Sequence, residues 1–449
     1  FDRVVGNLPP LPRAGKEWVR DIALAALAYA GLLLTHTGTI LIFTPLLLAY
    51  VLFAAARRAM QLSRQPAESA APGAEDAQQA SPAPWPASPM RRAWRELWRT
   101  TLRLAAAGLL GVGLAAIFLL PLLLEQRHLV QAQWVQGSYG YRLHFVYPSQ
   151  LLDPFWGFGF SDDPAGPNDG MSFQLGIVAV GLALTSLVVG LRRRSPQRGA
   201  TAFFALATLA VLLLMTPAAQ AVWDAEPLVS LVQFPWRLLG LAALGLAILS
   251  GAAVASLLTP WIDDRAQQAP QAAPAAYIVG LAVILASFAY TAPRYTDITP
   301  VEESPLSIIR FETQHPDMIG ITAFSQAAPS DSPLVAQYQA GQPLQKAALL
   351  SGRGQVQTLR VGGASVTAQV NLDGPATVLF YTYDFPGWQA TVDGQRVVHR
   401  AEPPYGLIAV DAPAGQHTIA IRHGATPART LGALVSLLSL LLVASLLWL

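Results

Sequence analysis

Cysteine is absent from the 449-residue chain, which excludes a disulfide framework, a thiolate nucleophile and any cysteine-held metal. Charge is scarce: 12% of residues are Asp, Glu, Lys or Arg, about half the ~25% of ordinary soluble domains. The phosphate-loop, nucleophile-elbow, zinc-protease and dinucleotide fingerprints are missing, so the common sites built on those motifs are excluded. The first twenty residues, FDRVVGNLPPLPRAGKEWVR, lack a signal-peptide pattern and do not begin with Met. We expect the later portion of a longer polypeptide, with earlier helices missing.

Apolar residues, by contrast, make up 53% of the chain. They gather in runs of about 17 to 24 residues, long enough to cross a ~30 Å hydrocarbon core. Eight such segments lie near 21–36, 39–56, 102–124, 173–191, 200–216, 236–258, 275–291 and 430–449. The expected fold class is an α-helical polytopic membrane protein. A single helix through the first two segments would be about 54 Å long, too long for one crossing. Two helices meeting at the polar break Thr35-His36-Thr37-Gly38-Thr39 are therefore expected.

Arginine is segregated. Arg57, Arg58 and Arg64 precede the linker QPAESAAPGAEDAQQASPAPWPASP; Arg91, Arg92, Arg95, Arg99 and Arg103 follow it, and Arg192, Arg193, Arg194 and Arg198 fill a short loop. Arginine-rich short loops face the cytoplasm. Both ends of the segment are then expected in the cytoplasm, with 125–172, 217–235 and 292–429 outside. The basic clusters line membrane ends without interleaved aromatics on a soluble face, so nucleic acid is not an expected partner. The expected domains are a helical region over 1–291 with a cytoplasmic linker at 57–100, a connecting subdomain at 292–350, a β-sandwich at 351–428 and a final membrane helix at 429–449. The sandwich rests on QVQTLRV, SVTAQVNL, ATVLFYTY, WQATVDGQRVV, GLIAVDA and QHTIAIRH, which alternate apolar and polar residues. Asp393-Gly394 predicts a tight hairpin, because both central positions of that turn favour positive φ.

Several residues are candidates for chemistry. Arg237 follows Phe234-Pro235-Trp236 at the head of an apolar segment. Two readings stand: an interfacial side chain that snorkels or pairs with Asp224 or Glu226, or a phosphate or carboxylate site beside the free N–H groups of a helix start. The loop before it concentrates Glu125, Arg127, His128, Trp134, Tyr139, Tyr141, Arg142, His144, Trp156, Asp162, Asp163 and Asp169. Aromatic faces with carboxylates suit a sugar, and an interfacial aromatic belt explains them equally. Asp162, Asp163 and Asp169 admit a divalent cation through oxygen ligands, although ordinary turn composition accounts for them too. His36 is either a functional group at membrane depth or a helix cap. His399, His417 and His423 are expected at exposed strand positions.

LLLTHTGTILIFTPLLLAY, FLLPLLLEQ, HFVYPSQLLDPFWGFG with GMSFQLG, VQFPWRLLGLA, and FYTYDFPGWQATVDGQRV with PAGQHTIAIRH carry a resemblance. The chain resembles the large bacterial membrane proteins of GT-C-like, YfhO-type architecture, many of them labelled "6-pyruvoyl-tetrahydropterin synthase-related". No histidine cluster here matches the zinc site of pterin synthases. The resemblance implies a GT-C fold with an extracytoplasmic active site and sugar transfer from a polyprenyl-phosphate donor. It also implies a catalytic acid in an earlier external loop, to which no residue here corresponds. The donor phosphate is then expected near Arg237 and Arg142, its sugar against Trp156 and the loop aspartates, and a glycan or protein acceptor on the sandwich. No cofactor beyond a divalent cation is expected. The other expectation is a non-catalytic scaffold of envelope assembly that uses the sandwich as a binding module; a transporter fits less well, since only the His36 break resembles a broken transport helix.

Overall fold

The computed structural model describes residues 17–64, 89–153, 170–192, 198–225, 227–263, 269–288, 295, 297–300, 302–315 and 320–448. The chain divides into two compact units: Phe1–Ala116, Tyr141–Pro293 and Val435–Leu449 form one, and Ile117–Gly140 with Arg294–Leu434 the other. The expected external loop 125–172 is therefore shared, its first part belonging to the second unit.

Each of the eight apolar segments contains helix: α1 (Glu17–Thr35), α2 (Thr37–Arg64), α3 (Pro89–Leu114) with α4 (Ala116–Glu125), α5 (Ile177–Arg192), α6 (Arg198–Leu214) with the short α7 (Gln220–Ala225), α8 (Leu239–Asp263), α9 (Ala269–Ala286) and, after two helices α10 (Pro305–Gln314) and α11 (Pro333–Gln339), α12 (Pro427–Trp448). Among the described residues, four helices are long and apolar enough to cross a membrane, or six if each of two bent pairs counts as one span. Helix continues through Arg64 and resumes at Pro89, inside both ends of the expected linker 57–100.

The chain reverses at His36. Its carbonyl accepts from Thr39 and Ile40 N–H, and its Nδ1 accepts from Gly38 N–H at 2.9 Å. Tyr29 and Thr44, fifteen residues apart in sequence, meet with their hydroxyls 3.4 Å apart, which an unbroken helix forbids. Arg103 lies over the Trp18 ring, and a Cβ built on Gly111 would stand 3.0 Å from Tyr29 and 3.1 Å from the Ala26 carbonyl. Contacts that advance together along both chains make α1 and α3 parallel, with Ile22, Ala25 and Ala107 buried between them.

The second unit carries the β-rich portion. A four-stranded sheet orders β1 (Ala347–Ser351), β4 (Ala376–Tyr383), β8 (Leu407–Ala412) and β7 (His399–Glu402). A five-stranded sheet orders β2 (Gly354–Gly362), β3 (Ser365–Leu372), β9 (Gly415–His423), β5 (Trp388–Val392) and β6 (Gln395–Val397). All pairs are antiparallel. Period-two burial explains the sandwich: Val366, Ala368, Val370 and Leu372 face inward from β3 and meet Val378 and Phe380 of β4, Ile408 and Val410 of β8 and Ile419 and Ile421 of β9 in one core. Asp393 and Gly394 adopt φ of 51° and 81°, the hairpin geometry their identities predict. Two strands are additions: β1 starts four residues before the expected boundary, and the charged β7 occupies a sheet edge, where polar residues discourage further pairing.

The three sandwich histidines are half-buried and bonded, not exposed. His417 illustrates the reason. Its Nδ1 lies 2.7 Å from Asp393 Oδ2 and its Nε2 3.2 Å from the Ala414 carbonyl, so both ring nitrogens can donate only in the charged form. The Asp393 carboxylate, then the Ala414 carbonyl, hold the His417 pKa above its ordinary value. His417, then the Thr418 N–H, hold Asp393 below its own. The histidine's contribution is complete below its unfolded pKa and lost as pH rises through its raised folded value. The aspartate's is present above its unfolded pKa and lost as pH falls through its depressed folded one. The melting midpoint of the β-rich unit is expected to fall as pH rises above 6.5, the ordinary histidine value, and His417→Gln to flatten that slope; an unchanged slope in the variant refutes the assignment.

Candidate functional site

Three of the sequence candidates come together around Phe234. Pro235–Leu238 forms one 3-10 turn that feeds α8. Immediately before it, Gln233 has φ of 66°, and Phe234 N–H donates to the Val232 carbonyl at 2.7 Å. That three-residue turn is sterically costly for a residue with a Cβ. Arg237 stabilises it: Nη1 donates to the Val232 carbonyl at 2.9 Å and to Gln233 Oε1 at 3.0 Å. The guanidinium carbon lies 4.6 Å over the Phe234 ring, a cation–π distance. His144 meets the same ring edge-on at 4.6 Å, and Trp236 stacks on it at 5.1 Å.

His36 belongs to this group. A Cβ on Gly38 would stand 3.1 Å from His36 Nδ1 and 3.4 Å from Arg237 Nη1, so the α1–α2 break packs directly against the arginine. The cap reading of His36 is realised, because Nδ1 serves the first turn of α2. The indole N–H of Trp236 is buried and makes no hydrogen bond among the described residues. A buried donor left so costs about 1–3 kcal/mol.

Arg142 sits elsewhere in this unit. It pairs with Asp224 at 2.7 Å, and the Tyr141 hydroxyl donates to the same carboxylate oxygen. Asp224 is thus the partner of Arg142, not of Arg237. Trp156, Asp162, Asp163, Asp169 and Glu226 lie outside the described residues. Among the described residues, no three His, Asp or Glu side chains gather as a metal-binding group.

Beside the Phe234 group is a cavity of about 720 Å³ within the helical unit. Its seventeen lining residues are aliphatic, aromatic or proline, from α2, α6, α7, α8 and the segment between α7 and α8. Val232 and Leu238, which bracket Arg237 in sequence, are among them, and Val232 offers its carbonyl to the guanidinium. The space suits a hydrocarbon chain, and a cation stands next to its wall.

In the second unit the structure assembles a polar cluster that sequence reading missed. Glu125, at the end of α4, is buried; its Oε1 accepts from the Thr426 hydroxyl and its Oε2 from Arg429 Nη2 at 2.8 Å and Nε at 3.2 Å. Arg429 Nη1 also lies 3.1 Å from His423 Nε2 and 3.3 Å from Nδ1, and Phe385 sits 6.0 Å beneath the guanidinium. FLLPLLLEQ supplies Glu125, 301 and 304 residues from Thr426 and Arg429, a separation that no local pattern bridges, and the Phe-Pro-Gly-Trp stretch supplies Phe385. No protein-family model matches the chain, and no curated protein matches it either.

Proposed function

We propose that the protein is an integral membrane protein of GT-C-like type that binds a polyprenyl-phosphate-linked sugar at the extracytoplasmic face and takes part in its transfer during cell-envelope glycan assembly. The carrying observation is the wholly apolar cavity that ends beside Arg237. An isoprenoid tail fills the cavity, and its phosphate replaces Gln233 Oε1 as partner of the guanidinium, with the Trp236 indole N–H as a second donor. The membrane reading is supported by α12, where Leu437, Leu438, Leu441 and Leu442 are each more than half exposed, and by the parallel run of α1 and α3 with α2 between them. In this reading the sandwich is the module that holds the acceptor.

Arg237→Ala is expected to weaken binding of a polyprenyl phosphate to the purified chain by about tenfold or more, the scale of a lost charge-assisted hydrogen bond. It is also expected to abolish the dependent glycan in cells while the protein stays in the membrane. Unchanged glycans in both this variant and a deletion strain would end the enzymatic reading. One observation favours a non-catalytic scaffold instead: Leu359 and Val361 project from the edge strand β2, each about half exposed, as a surface for a protein partner.

A further inference from the structure

The start of α3 presents a face that neither the sugar-lipid cavity nor the sandwich uses. Arg91, Trp94, Arg95 and Trp98 line one open hollow, and all four are exposed, Trp94 at 69% and Trp98 at 59%. At about 100° per residue these positions share one side of the helix with Leu102 and Leu109, all within about 100° of arc. Leu102 and Leu109 are 52% and 74% exposed. One continuous outward stripe therefore changes from arginine and tryptophan at its start to leucine farther along.

Trp94 and Trp98 interleave with the arginines, and two ligand chemistries fit that pattern in isolation: stacked bases or lipid headgroups. The leucine continuation decides between them, because a nucleic acid has nothing to place there and an acyl chain does. Charge points the same way. Five arginines, Arg91, Arg92, Arg95, Arg99 and Arg103, stand against one acid, Glu96, in this helix. Arg103 is placed over Trp18, while Arg91 and Arg95 stand one turn apart in the hollow. Two guanidiniums at that spacing can hold one phosphodiester between them, with the Trp94 and Trp98 rings at the glycerol level and the acyl chains along the leucines.

We propose that this face of α3 is a binding site for an anionic phospholipid of the leaflet at that end of the helix. The site rests on the membrane reading given above and is independent of Arg237 and of any sugar transfer.

The test uses the full chain purified in a neutral detergent, offered phosphatidylglycerol and phosphatidylcholine together, with retained lipid counted by native mass spectrometry. The wild type is expected to retain phosphatidylglycerol in preference. Arg91→Gln/Arg95→Gln is expected to lower that preference by about fivefold or more, the scale of one lost basic contact with an anionic surface. Arg91→Lys/Arg95→Lys, which keeps the charge, is expected to keep most of it. Preference unchanged in the glutamine pair overturns the site. So does displacement of the lipid by glycerol phosphate, which marks a free-phosphate site, or by a single-stranded oligonucleotide, which marks a nucleic-acid one. Alkaline carbonate washing of membranes separates the two layers of argument. If it releases the wild-type chain, the membrane reading fails and this site with it; if the chain stays and the preference is absent, only the site fails.

Discussion

Glu125→Ala is expected to destabilise the second unit by up to about 3 kcal/mol, the low end of the cost of removing one partner of a buried ion pair, because the Arg429 side chain left behind is 30% exposed. Arg429 would lose both bonds to the carboxylate while still facing the His423 ring, and Thr426 would lose the acceptor of its hydroxyl. Thr426 also caps α12, accepting from Arg429 N–H at 3.2 Å, so the loss reaches the first turn of that helix. Glu125→Gln keeps the shape and one acceptor and is expected to cost less. A double variant, Glu125→Ala/Arg429→Ala, is expected to be less damaging than the two single changes added together, because the orphaned charge is gone. Hydrogen exchange of peptides from β9 and the start of α12, read in the purified full chain, measures each. Additive losses would show that the two side chains act independently and would remove the cluster from any structural role.

Gly387→Val is the second large effect. Gly387 has φ of 111°, and a Cβ there would stand 2.8 Å from the Gly424 carbonyl and 2.9 Å from His423 Nε2. The backbone conformation alone costs a substituted residue about 1–3 kcal/mol, and the collision is with main chain that cannot move away cheaply. The close approach has a purpose: Gly424 N–H donates to the Gly387 carbonyl at 2.8 Å, which ties the loop before β5 to the end of β9 and sets Trp388 edge-on against His423 at 5.2 Å. A branched side chain is expected to open this junction, release Arg429 from His423 and expose β9 to protease. Gly387→Val with wild-type protease resistance and melting would refute the argument.

Glycine is thus the informative letter of the Phe-Pro-Gly-Trp stretch, and the sequence alone hides why. The sandwich strands were legible because half-buried strands write their burial into alternate positions, as Ser365–Leu372 does with four inward residues. The helices were legible because apolar length is a local property. The His36 break was legible too, since no helix of one crossing spans both flanking runs. What remained hidden depends on distance along the chain. Nothing near Glu125 announces Arg429, and nothing near Asp224 announces Arg142. Arg237 is an intermediate case: its position marked it, yet its bond to the Val232 carbonyl follows from the positive φ at Gln233, a residue with no visible tendency toward that conformation. β1 and β7 escaped for a simpler reason, being too short or too charged for alternation to show.

The chain interrupts its helix at Ala115, between α3 and α4, and the hydroxyl of Ser436 in α12 donates to the Leu114 carbonyl at 2.8 Å and the Gly113 carbonyl at 3.2 Å. A Cβ on Gly113 would stand 2.3 Å from Ser439 Oγ, so the two helices touch at a glycine and a serine. In hydrocarbon, carbonyls freed by an interruption must find a donor within the protein. The donor here is made more than three hundred residues after the acceptors. Translation therefore leaves these two carbonyls without the Ser436 hydroxyl until residue 436 has been made, and a chain cut short before it keeps the break without that donor.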